Sequence, residues 1–330
     1  MSMQILVTGS RGFIGGALKL HLERAGHTVY GTVHRSTPGD REFRLDLTRA
    51  EAFKGLPDIP FDALIHAAGM MNGDAVSPET MRINAGGTRR MVAYARRIGC
   101  RHFIQVSSIT VYGLRAMEVN RSENTTPRSL SAFGTAYMRS KAEAEVAVEK
   151  GEIPYTILRL PSVLGAGDSW ATPKIVKAIL QGSVPYLVRR DRRFSILNIR
   201  NLADIVERTV ELGPLGDAFN CADHAVSWEE LVQHYAACLR VPFRWRRDPL
   251  HRPVIARDDG YAYLAVNSLF GAHFPSDRLW TRLGFTPKHS WAEAVEDAVR
   301  SYAGKVAQNQ GPSVKLDLSF LHGVPGAHVV

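Results

Sequence analysis

The feature that most restricts the fold of this 330-residue chain is the run QILVTGSRGFIGG, which begins at Gln4. A short, mostly apolar stretch leads directly into three regularly spaced glycines, and an amphipathic segment follows as far as Gly26. A buried strand that turns tightly into a helix needs glycine at the turn and where the helix approaches the strand. The run therefore predicts a strand, a tight turn and a helix at the start of an α/β fold.

The same alternation continues through the first half of the chain. Further strands are predicted over HTVYGTVH, FRLDL, FDALIHAAG, RHFIQVSS and YTILRLP, and helices include Pro78 to Ile98 and Ser131 to Glu149. An irregular loop is expected before the second helix, as far as about Leu130. Strands that alternate with helices at this spacing indicate a parallel sheet covered on both faces. We therefore predict an α/β protein with a Rossmann-type doubly wound parallel sheet.

Composition excludes several classes of protein. A 45% hydrophobic content with 22% charged residues is ordinary for an enzyme-sized soluble protein. The net charge of +9 favours anionic ligands, but the basic clusters ARRIGCR and VRRDRRF are short and lack interleaved aromatic residues, so no nucleic-acid partner is predicted. The spacing of the cysteines and histidines predicts no disulfide framework and no metal site. Without a signal-like start or an apolar run of membrane-spanning length, the chain is predicted to be cytoplasmic, with no membrane partner.

The glycine spacing also predicts a ligand. Gly9, Gly12 and Gly15 permit close backbone approach to a pyrophosphate, which would lie at the N-terminus of the first helix. The alternative is a glycine-rich turn without a ligand. The strand-to-helix position favours dinucleotide binding, and the candidate residues of this loop are Gly9, Arg11, Gly12, Phe13, Ile14 and Gly15.

The end of the second predicted strand bears on the choice of dinucleotide. An NAD-specific site usually has a carboxylate there, which binds the ribose 2′-hydroxyl. This chain has His34, Arg35 and Ser36 instead, and Arg11 projects from the glycine loop nearby. A guanidinium matches the oxygens of a 2′-phosphate. We therefore predict NADP rather than NAD, the alternative being that His34 and Arg35 simply face solvent.

A second group of polar residues follows the run QVSSITVYG. Ser107 and Ser108 end a buried strand, and ligands of open α/β sheets bind beyond the carboxyl ends of the strands. Tyr137 and Lys141 follow on the next helix at positions i and i+4, so their side chains share a face. A phenol beside an ammonium can transfer a proton, although the pair alone could equally be an exposed tyrosine and lysine.

The chain at this point resembles the extended short-chain dehydrogenase/reductase family, the NAD-dependent epimerase/dehydratase group. The matching motifs are TGSRGFIG, HAAG, INAGGT, SSITVYG, YMRSK and LRLPSVLGAGD, which occur in the family's order as far as about Asp168. Fainter matches follow in FSILNIRNLADIV and LWTRLGFTPKHSWAEAV.

The resemblance implies a Ser/Tyr/Lys mechanism. Ser108 would orient and polarise the substrate oxygen, Tyr137 would give or take its proton, and Lys141 would lower the phenol's pKa and bind the nicotinamide ribose. Ser107 competes for the serine role, but the family's register favours Ser108. Asp46 is a candidate for adenine contact or for a helix N-cap. The remaining cofactor candidates are Asp46, Leu47, Ala67, Ala68, Gly69, Asn84, Ser107, Pro161 and Val163, with Asn84 expected to secure backbone in the long helix.

Departures from the family's pattern concern the substrate. Ile109 and Thr110 replace the Asp-Glu pair of the dehydratases, so dehydration is not predicted. The diphosphate-binding arginine of many members falls on Phe194, although a shift of one residue would place Arg193 there. Methionines near the site suit an apolar carbonyl substrate or serve as core filler, and a tryptophan either closes the pocket or anchors the lobe. The substrate candidates are Met70, Met71, Thr110, Ser162, Trp170 and Arg193.

These observations predict an NADP(H)-dependent oxidoreductase that acts on a secondary alcohol or ketone of a small molecule. The alternatives are a nucleotide-sugar 4-epimerase with tightly bound NAD(P) and a non-catalytic cofactor-sensing protein. We predict a dinucleotide-binding domain over 1–165, to which later segments return, a substrate-binding lobe mostly over 166–305, and a tail over 306–330. The resemblance also implies a homodimer formed through the helices Pro78 to Ile98 and Ser131 to Glu149.

Overall fold

The structure is a computed structural model that describes residues 2–71, 77–117, 122–123, 135–186, 189–247 and 272–309. About half of the predicted irregular loop lies outside the described residues, and the first part of it is the 3-10 helical segment Ile109–Met117. Most of the predicted tail and the expected start of the helix at Ser131 also lie outside the described residues.

Strands and helices alternate through the described residues, as predicted for the first half. The strands are β1 (Gln4–Thr8), β2 (Thr28–Val33), β3 (Glu42–Arg44), β4 (Ala63–His66), β5 (Phe103–Ser108), β6 (Tyr155–Leu160), β7 (Ser162–Leu164), β8 (Ser183–Tyr186), β9 (Arg193–Asn198), β10 (Ala218–Asn220), β11 (His224–Ser227) and β12 (Arg244–Arg247). The α-helices are α1 (Phe13–Arg24), α2 (Pro78–Met81), α3 (Gly87–Arg97), α4 (Ala136–Glu149), α5 (Ala171–Leu180), α6 (Ile199–Leu212), α7 (Trp228–Leu239), α8 (Asp277–Leu283) and α9 (Trp291–Asn309).

A seven-stranded sheet forms the centre, in the order β10-β6-β5-β4-β1-β2-β3, and every pair in it is parallel. This confirms the predicted Rossmann-type α/β fold. The strand order reverses between β1 and β4, because the chain first moves outward to β3 and then returns to the other side of β1. In sheets of this kind the ligand crevice opens at that reversal, beyond the carboxyl ends of the strands.

The two faces of the sheet follow from the alternation of side chains along a strand. Ile5 and Val7 of β1 lie in one buried cluster with residues of α1 and α6. Leu6, between them, lies in a second cluster with residues of α3, including Met91. Because both faces are covered, every residue of β4 and β5 is buried.

Segments after residue 165 contribute to two regions. β10, α6 and α8 pack with the large sheet, and β10 extends it at one edge. A second core contains buried residues of α5, α7 and α9, with Trp228 and Tyr235 of α7 at its centre. This core also includes residues of the small sheet β11-β9-β7 and of the two-stranded pair β12-β8.

The predicted boundaries differ from the observed ones where local contacts intervene. The FRLDL strand ends at Arg44, because Asp46 forms a turn by accepting hydrogen bonds from the backbone and hydroxyl of Thr48. The helix expected over Pro78 to Ile98 is interrupted by a π-helical turn, Arg82–Gly86, between α2 and α3. Within the part of the chain that the structure describes, every helix is too short or too polar to cross a membrane.

Candidate active site

The glycine loop between β1 and α1 is packed too tightly for side chains at two positions. Gly9 has a φ of +67°, and a Cβ there would lie 3.1 Å from the Cα of Ala68. A Cβ on Gly15 would lie 2.3 Å from the carbonyl oxygen of Gly9. Gly12 precedes α1 and has no side chain with which to cap the first N–H groups of that helix. These donors therefore remain available for an anion, so the loop fits the pyrophosphate of a dinucleotide.

The ribose end of the loop differs from the prediction in one contact. His34, Arg35 and Ser36 are exposed at the end of β2. Arg11, however, donates from Nε (3.0 Å) and Nη2 (2.5 Å) to the Oε2 atom of Glu42. Burial alone would raise the pKa of Glu42, but its hydrogen bonds, the one from Arg11 foremost, hold the pKa below the usual range. Arg11 is thus restrained by a carboxylate that the sequence reasoning did not consider.

The HAAG turn after β4 is fixed to the rest of the site by Asn84. The Oδ1 atom of Asn84 accepts from the backbone N–H of Met70 at 2.7 Å. Its Nδ2 atom donates to the Met70 carbonyl at 2.8 Å and to the Ser140 hydroxyl at 2.9 Å. Asn84 lies in the π-helical turn, and its amide joins that turn to the HAAG turn and to α4. Both polar atoms of this predicted cofactor residue are used within the protein.

The three predicted catalytic residues meet at the carboxyl end of β5. Tyr137 and Ser108 share a hydrogen bond, and Ser108 also accepts from the backbone N–H of Thr110 at 3.3 Å. The Nζ atom of Lys141 lies 5.9 Å from the centre of the Tyr137 ring and donates to the Val106 carbonyl at 3.0 Å. The structure therefore places the Ser108 hydroxyl, the Tyr137 phenol and the Lys141 ammonium together at one side of the crevice. We call these three residues the catalytic corner.

Burial shifts the pKa values of Tyr137 and Lys141. It raises the pKa of Tyr137, and the hydrogen bond with Ser108 acts in the opposite direction. It lowers the pKa of Lys141 to about 8, against the influence of the Glu145 carboxylate, which raises it. Tyr137 is consequently a protonated phenol at neutral pH, and Lys141 loses its charge just above neutral pH.

A cavity of about 410 Å³ opens against these residues. The predicted site residues in its wall are Phe13, Ile14, Ala67, Gly69, Met70, Met71, Ser107, Ser108, Thr110, Tyr137, Lys141, Pro161, Ser162, Val163 and Trp170. Met71 is 49% exposed, which places it at the rim. The wall of the cavity thus contains both predicted nicotinamide contacts and predicted substrate contacts.

Other predicted residues do not line this cavity. Arg193, a substrate candidate, is exposed and donates to the Ala225 carbonyl and to Glu230. Asp46 accepts hydrogen bonds within its own turn, and Leu47 is buried against Gly87. The Ser107 hydroxyl, although at the wall, donates to Glu145 at 2.5 Å.

The sequence reasoning did not assign several wall residues. Ile109, Met138, Phe194, Ala272 and Phe274 complete the apolar wall. Phe194 could have been identified from the sequence, since it occupies the position of the family's diphosphate-binding arginine. Phe274 could not, because its place at the cavity depends on contacts far away in sequence, such as its backbone N–H bond to Ser195 at 3.0 Å.

The geometry agrees with the comparisons to known proteins. The model of the NAD dependent epimerase/dehydratase family matches residues 5–222. The 3 beta-hydroxysteroid dehydrogenase/Delta 5-->4-isomerase of Mycobacterium tuberculosis (strain ATCC 25618 / H37Rv) is 26% identical over 216 residues, which are 60% of this chain and 58% of that protein. The UDP-glucose 4-epimerase of Vibrio cholerae is 26% identical over 309 residues, 88% of this chain and 89% of that protein.

Among solved structures, the Bordetella bronchiseptica enzyme WbmH in complex with NAD+ superposes with a TM-score of 0.75 at 17% identity, over 92% of this chain and 99% of that one. At this identity the likeness shows the fold. The family model, in contrast, covers more than half of the 330 residues. The chain therefore belongs to the NAD dependent epimerase/dehydratase family.

Proposed function

We propose that the protein is an NADP(H)-dependent oxidoreductase that interconverts a secondary alcohol and a ketone on an apolar small molecule. The observation that carries this proposal is the cavity itself, which places apolar walls directly against Ser108, Tyr137 and Lys141. The similarity to the 3 beta-hydroxysteroid dehydrogenase/isomerase of Mycobacterium tuberculosis supports the same class of substrate.

Each residue of the catalytic corner has a different role in the reaction. When bound, the nicotinamide supplies or takes up the hydride. Ser108 donates a hydrogen bond that orients and polarises the carbonyl oxygen of a ketone, and Tyr137 donates the proton that this oxygen acquires. Lys141 stabilises the phenolate that remains, because its ammonium lies beside the ring. In the direction of oxidation the same groups act in reverse.

The charges of the cavity wall argue against a nucleotide-sugar substrate. Among the described wall residues, Lys141 and Asp168 are the ionisable side chains besides Tyr137. Asp168 is occupied, because it caps α5 by accepting from the backbone and hydroxyl of Thr172 at 2.8 and 2.7 Å. Phe194, at the position of the family's diphosphate-binding arginine, is only 3% exposed. A diphosphate would therefore meet an apolar side chain where the family usually offers a cation.

The substrate proposal is tested by following NADPH oxidation with a panel of apolar cyclic ketones and with UDP-hexoses. We expect stoichiometric NADPH consumption with one or more of the ketones and none with the UDP-hexoses. Conversion of a UDP-hexose to its 4-epimer without net cofactor consumption would contradict the proposal. That result would instead support a 4-epimerase, which the long alignment with the Vibrio cholerae enzyme keeps as the second candidate. Binding of cofactor without turnover of any substrate would support the third alternative, a non-catalytic cofactor-sensing protein.

The preference for NADP is supported by the end of β2. It presents exposed His34, Arg35 and Ser36, with no carboxylate at the place where NAD-specific sites have one. The Arg11 guanidinium is already paired with the Glu42 carboxylate. We therefore assign the main contact with a 2′-phosphate to Arg35.

We expect Arg35→Ala to weaken NADPH binding about 10- to 100-fold, since a charge-assisted hydrogen bond contributes roughly 1.5–3 kcal/mol. NADH binding should not change, because that cofactor lacks the 2′-phosphate. Fluorescence titration of the purified protein measures both dissociation constants, and Arg97→Ala, which removes a distant arginine paired with Asp58, is the matched control. Equal affinities of the unmodified protein for NADPH and NADH would overturn the assignment.

The pKa of Lys141 predicts how the rate depends on pH. Lys141 assists Tyr137 only as a cation, and burial lowers its pKa to about 8. For ketone reduction, kcat/KM should therefore be constant below about pH 8 and fall up to tenfold per pH unit above it. Lys141→Arg, which stays protonated at these pH values, should move the fall to higher pH even if it lowers the plateau. A profile of the unmodified enzyme that stays flat to pH 10 would contradict this role for Lys141.

We further propose that the protein is a cytoplasmic homodimer. Cys100, Cys221 and Cys238 are free thiols, which suits a reducing compartment. α3 and α4 lie side by side, joined at their surface by an Arg89–Glu143 ion pair with an N–O distance of 3.4 Å. Light scattering after gel filtration should give twice the chain mass of 36.5 kDa, and a monomer mass would contradict the dimer.

A further inference from the structure

A buried ion pair lies one helical turn beyond Lys141. Glu145 of α4 and Arg159 of β6 have side chains that are 2% and 3% exposed. The Nε atom of Arg159 lies 3.1 and 3.2 Å from the two carboxylate oxygens of Glu145, and its Nη2 atom lies 2.8 Å from Oε2. Burying two charges is costly even when they are paired, so such a pair often serves specificity or function more than stability.

The pair lies beside the catalytic corner, where two side-chain bonds join α4 to β5 and one of them includes Glu145. Lys141 donates to the Val106 carbonyl at 3.0 Å, and the Ser107 hydroxyl donates to Glu145 at 2.5 Å. Both bonds join α4 to the end of β5, one helical turn apart. Ser108, the next residue of β5, hydrogen-bonds to Tyr137 at the start of α4. The two bonds therefore fix the strand and helix that carry Ser108 and Tyr137.

The charges around Lys141 come from two elements. His66 of β4 is buried nearby, and burial keeps it neutral at physiological pH. Tyr137 and Glu145 lie on α4 itself, one turn to either side of Lys141. Among the described groups near Lys141, Glu145 is thus the one anion buried with it.

The charges and polar groups around Glu145 come from four elements. Arg159 of β6 pairs with it and Ser107 of β5 donates to it, as described. Tyr112, in the 3-10 helical segment Ile109–Met117 that follows β5, accepts from Arg159 Nη1 at 2.9 Å. Glu149 is one turn further along α4, and its pKa is raised, by burial first and then by the charge of Glu145. The carboxylate of Glu145 therefore accepts hydrogen bonds from both Arg159 and Ser107.

We propose that Glu145, held in place by Arg159, is a positioning residue that keeps Lys141 a cation and fixes Ser108 against Tyr137. This inference rests on the proposed function, because it concerns the same three catalytic residues. The network continues outward: Tyr112 donates to the Oδ1 atom of Asn220 at 2.8 Å, and its ring stacks on Phe274 at 5.7 Å between centres. Since Phe274 lines the cavity, the pair also braces one part of the substrate wall.

The test measures the protonation of Lys141 directly. The protein is labelled with [13Cε]lysine, and the resonance of Lys141 is identified by its loss in Lys141→Met. In Glu145→Gln we expect the titration midpoint of Lys141 to fall by about one pH unit, since the buried Glu145 carboxylate, one helical turn away, favours the charged form of Lys141. Glu149→Gln, a matched change one turn away, should leave the midpoint where it is. An unchanged midpoint in Glu145→Gln would overturn the proposal.

A second variant covers the case in which Glu145→Gln does not fold because Arg159 is left unpaired. Glu145→Gln/Arg159→Gln removes both buried charges together, and its midpoint should still fall below that of the unmodified protein. If the ion pair only stabilised the fold, the titration midpoint of Lys141 in this double variant would equal that of the unmodified protein.

The pH profile of ketone reduction gives the second readout. In Glu145→Gln, the fall of kcat/KM should begin at lower pH, and Glu145→Asp should restore part of the difference. If the unmodified protein reduces no ketone, the proposed function fails, yet the titration of Lys141 still decides the present inference. If ketones are reduced and both midpoints are unchanged, the inference alone fails.

Discussion

Tyr137→Phe is expected to lower kcat for ketone reduction about a thousandfold, within the range of 10²–10⁴ that general acid catalysis contributes. The substitution removes only the hydroxyl that shares a hydrogen bond with Ser108. The ring that lies 5.9 Å from the Lys141 ammonium remains in place. We therefore expect the dissociation constant for NADPH to stay within about twofold, because binding does not need the phenolic proton.

Single-turnover measurements with bound NADPH separate the chemical step from binding and product release. Tyr30→Phe is the matched control, since Tyr30 packs against Phe43 and Phe61 in the core, away from the cavity. Its rate should equal that of the unmodified enzyme. Retention of more than about a tenth of the rate by Tyr137→Phe would show that another group supplies the proton.

The second large effect is a loss of stability in acid caused by His66. Burial, with a smaller contribution from the Lys141 cation, lowers the pKa of His66 to about 3 from 6.5. Below pH 6.5 the unfolded chain binds a proton at His66, whereas the folded chain does not bind it until about pH 3. The free energy of unfolding therefore falls as the pH falls through this window. The slope reaches about 1.4 kcal/mol per pH unit only well below pH 6.5, so the free energy of unfolding should drop by roughly 2 kcal/mol between pH 6.5 and pH 4.5 from this residue.

Urea unfolding at a series of pH values measures this slope. His66→Gln removes the titrating group, so its stability should depend less steeply on pH between 6.5 and 4.5, although its stability at pH 7 falls with the loss of the 2.8 Å contact to Thr8. His102 is a second buried histidine, with a pKa lowered by burial to about 4, and His102→Gln should remove part of the slope as well. His34→Gln, at an exposed position, should keep the full slope. An unchanged slope in His66→Gln would show that His66 is not the group responsible.

The sequence predicted those features that depend on local patterns. The strand, glycine turn and helix at Gln4 to Arg24 were predictable because apolar alternation and glycine spacing are read along the chain. Tyr137 and Lys141 were predicted on one face because a helix fixes the spacing of i and i+4. The structure places both at the same cavity as Ser108.

The features that the sequence did not predict depend on partners far away along the chain. Arg11 was expected to face a phosphate, and no sequence pattern indicated that β3 would bring Glu42 beside it. Ser107 was expected at the cofactor, but its hydroxyl is used by Glu145, 38 residues later. Phe274 is held at the cavity by a hydrogen bond from its backbone N–H to the hydroxyl of Ser195 in β9. Such contacts are set by the tertiary fold, so periodicity and motif spacing do not reveal them.

We infer that the enzyme reduces an apolar ketone with a hydride from NADPH, so that one NADPH is consumed for each alcohol formed. The most direct measurement supplies NADPH deuterated at C4 of the nicotinamide and locates the label in the product by mass spectrometry. We expect one deuterium on the carbinol carbon and one NADPH oxidised per alcohol formed, with neither in Tyr137→Phe beyond a trace. Absence of label from every apolar ketone product, together with epimerisation of a nucleotide sugar without net cofactor use, would contradict the account.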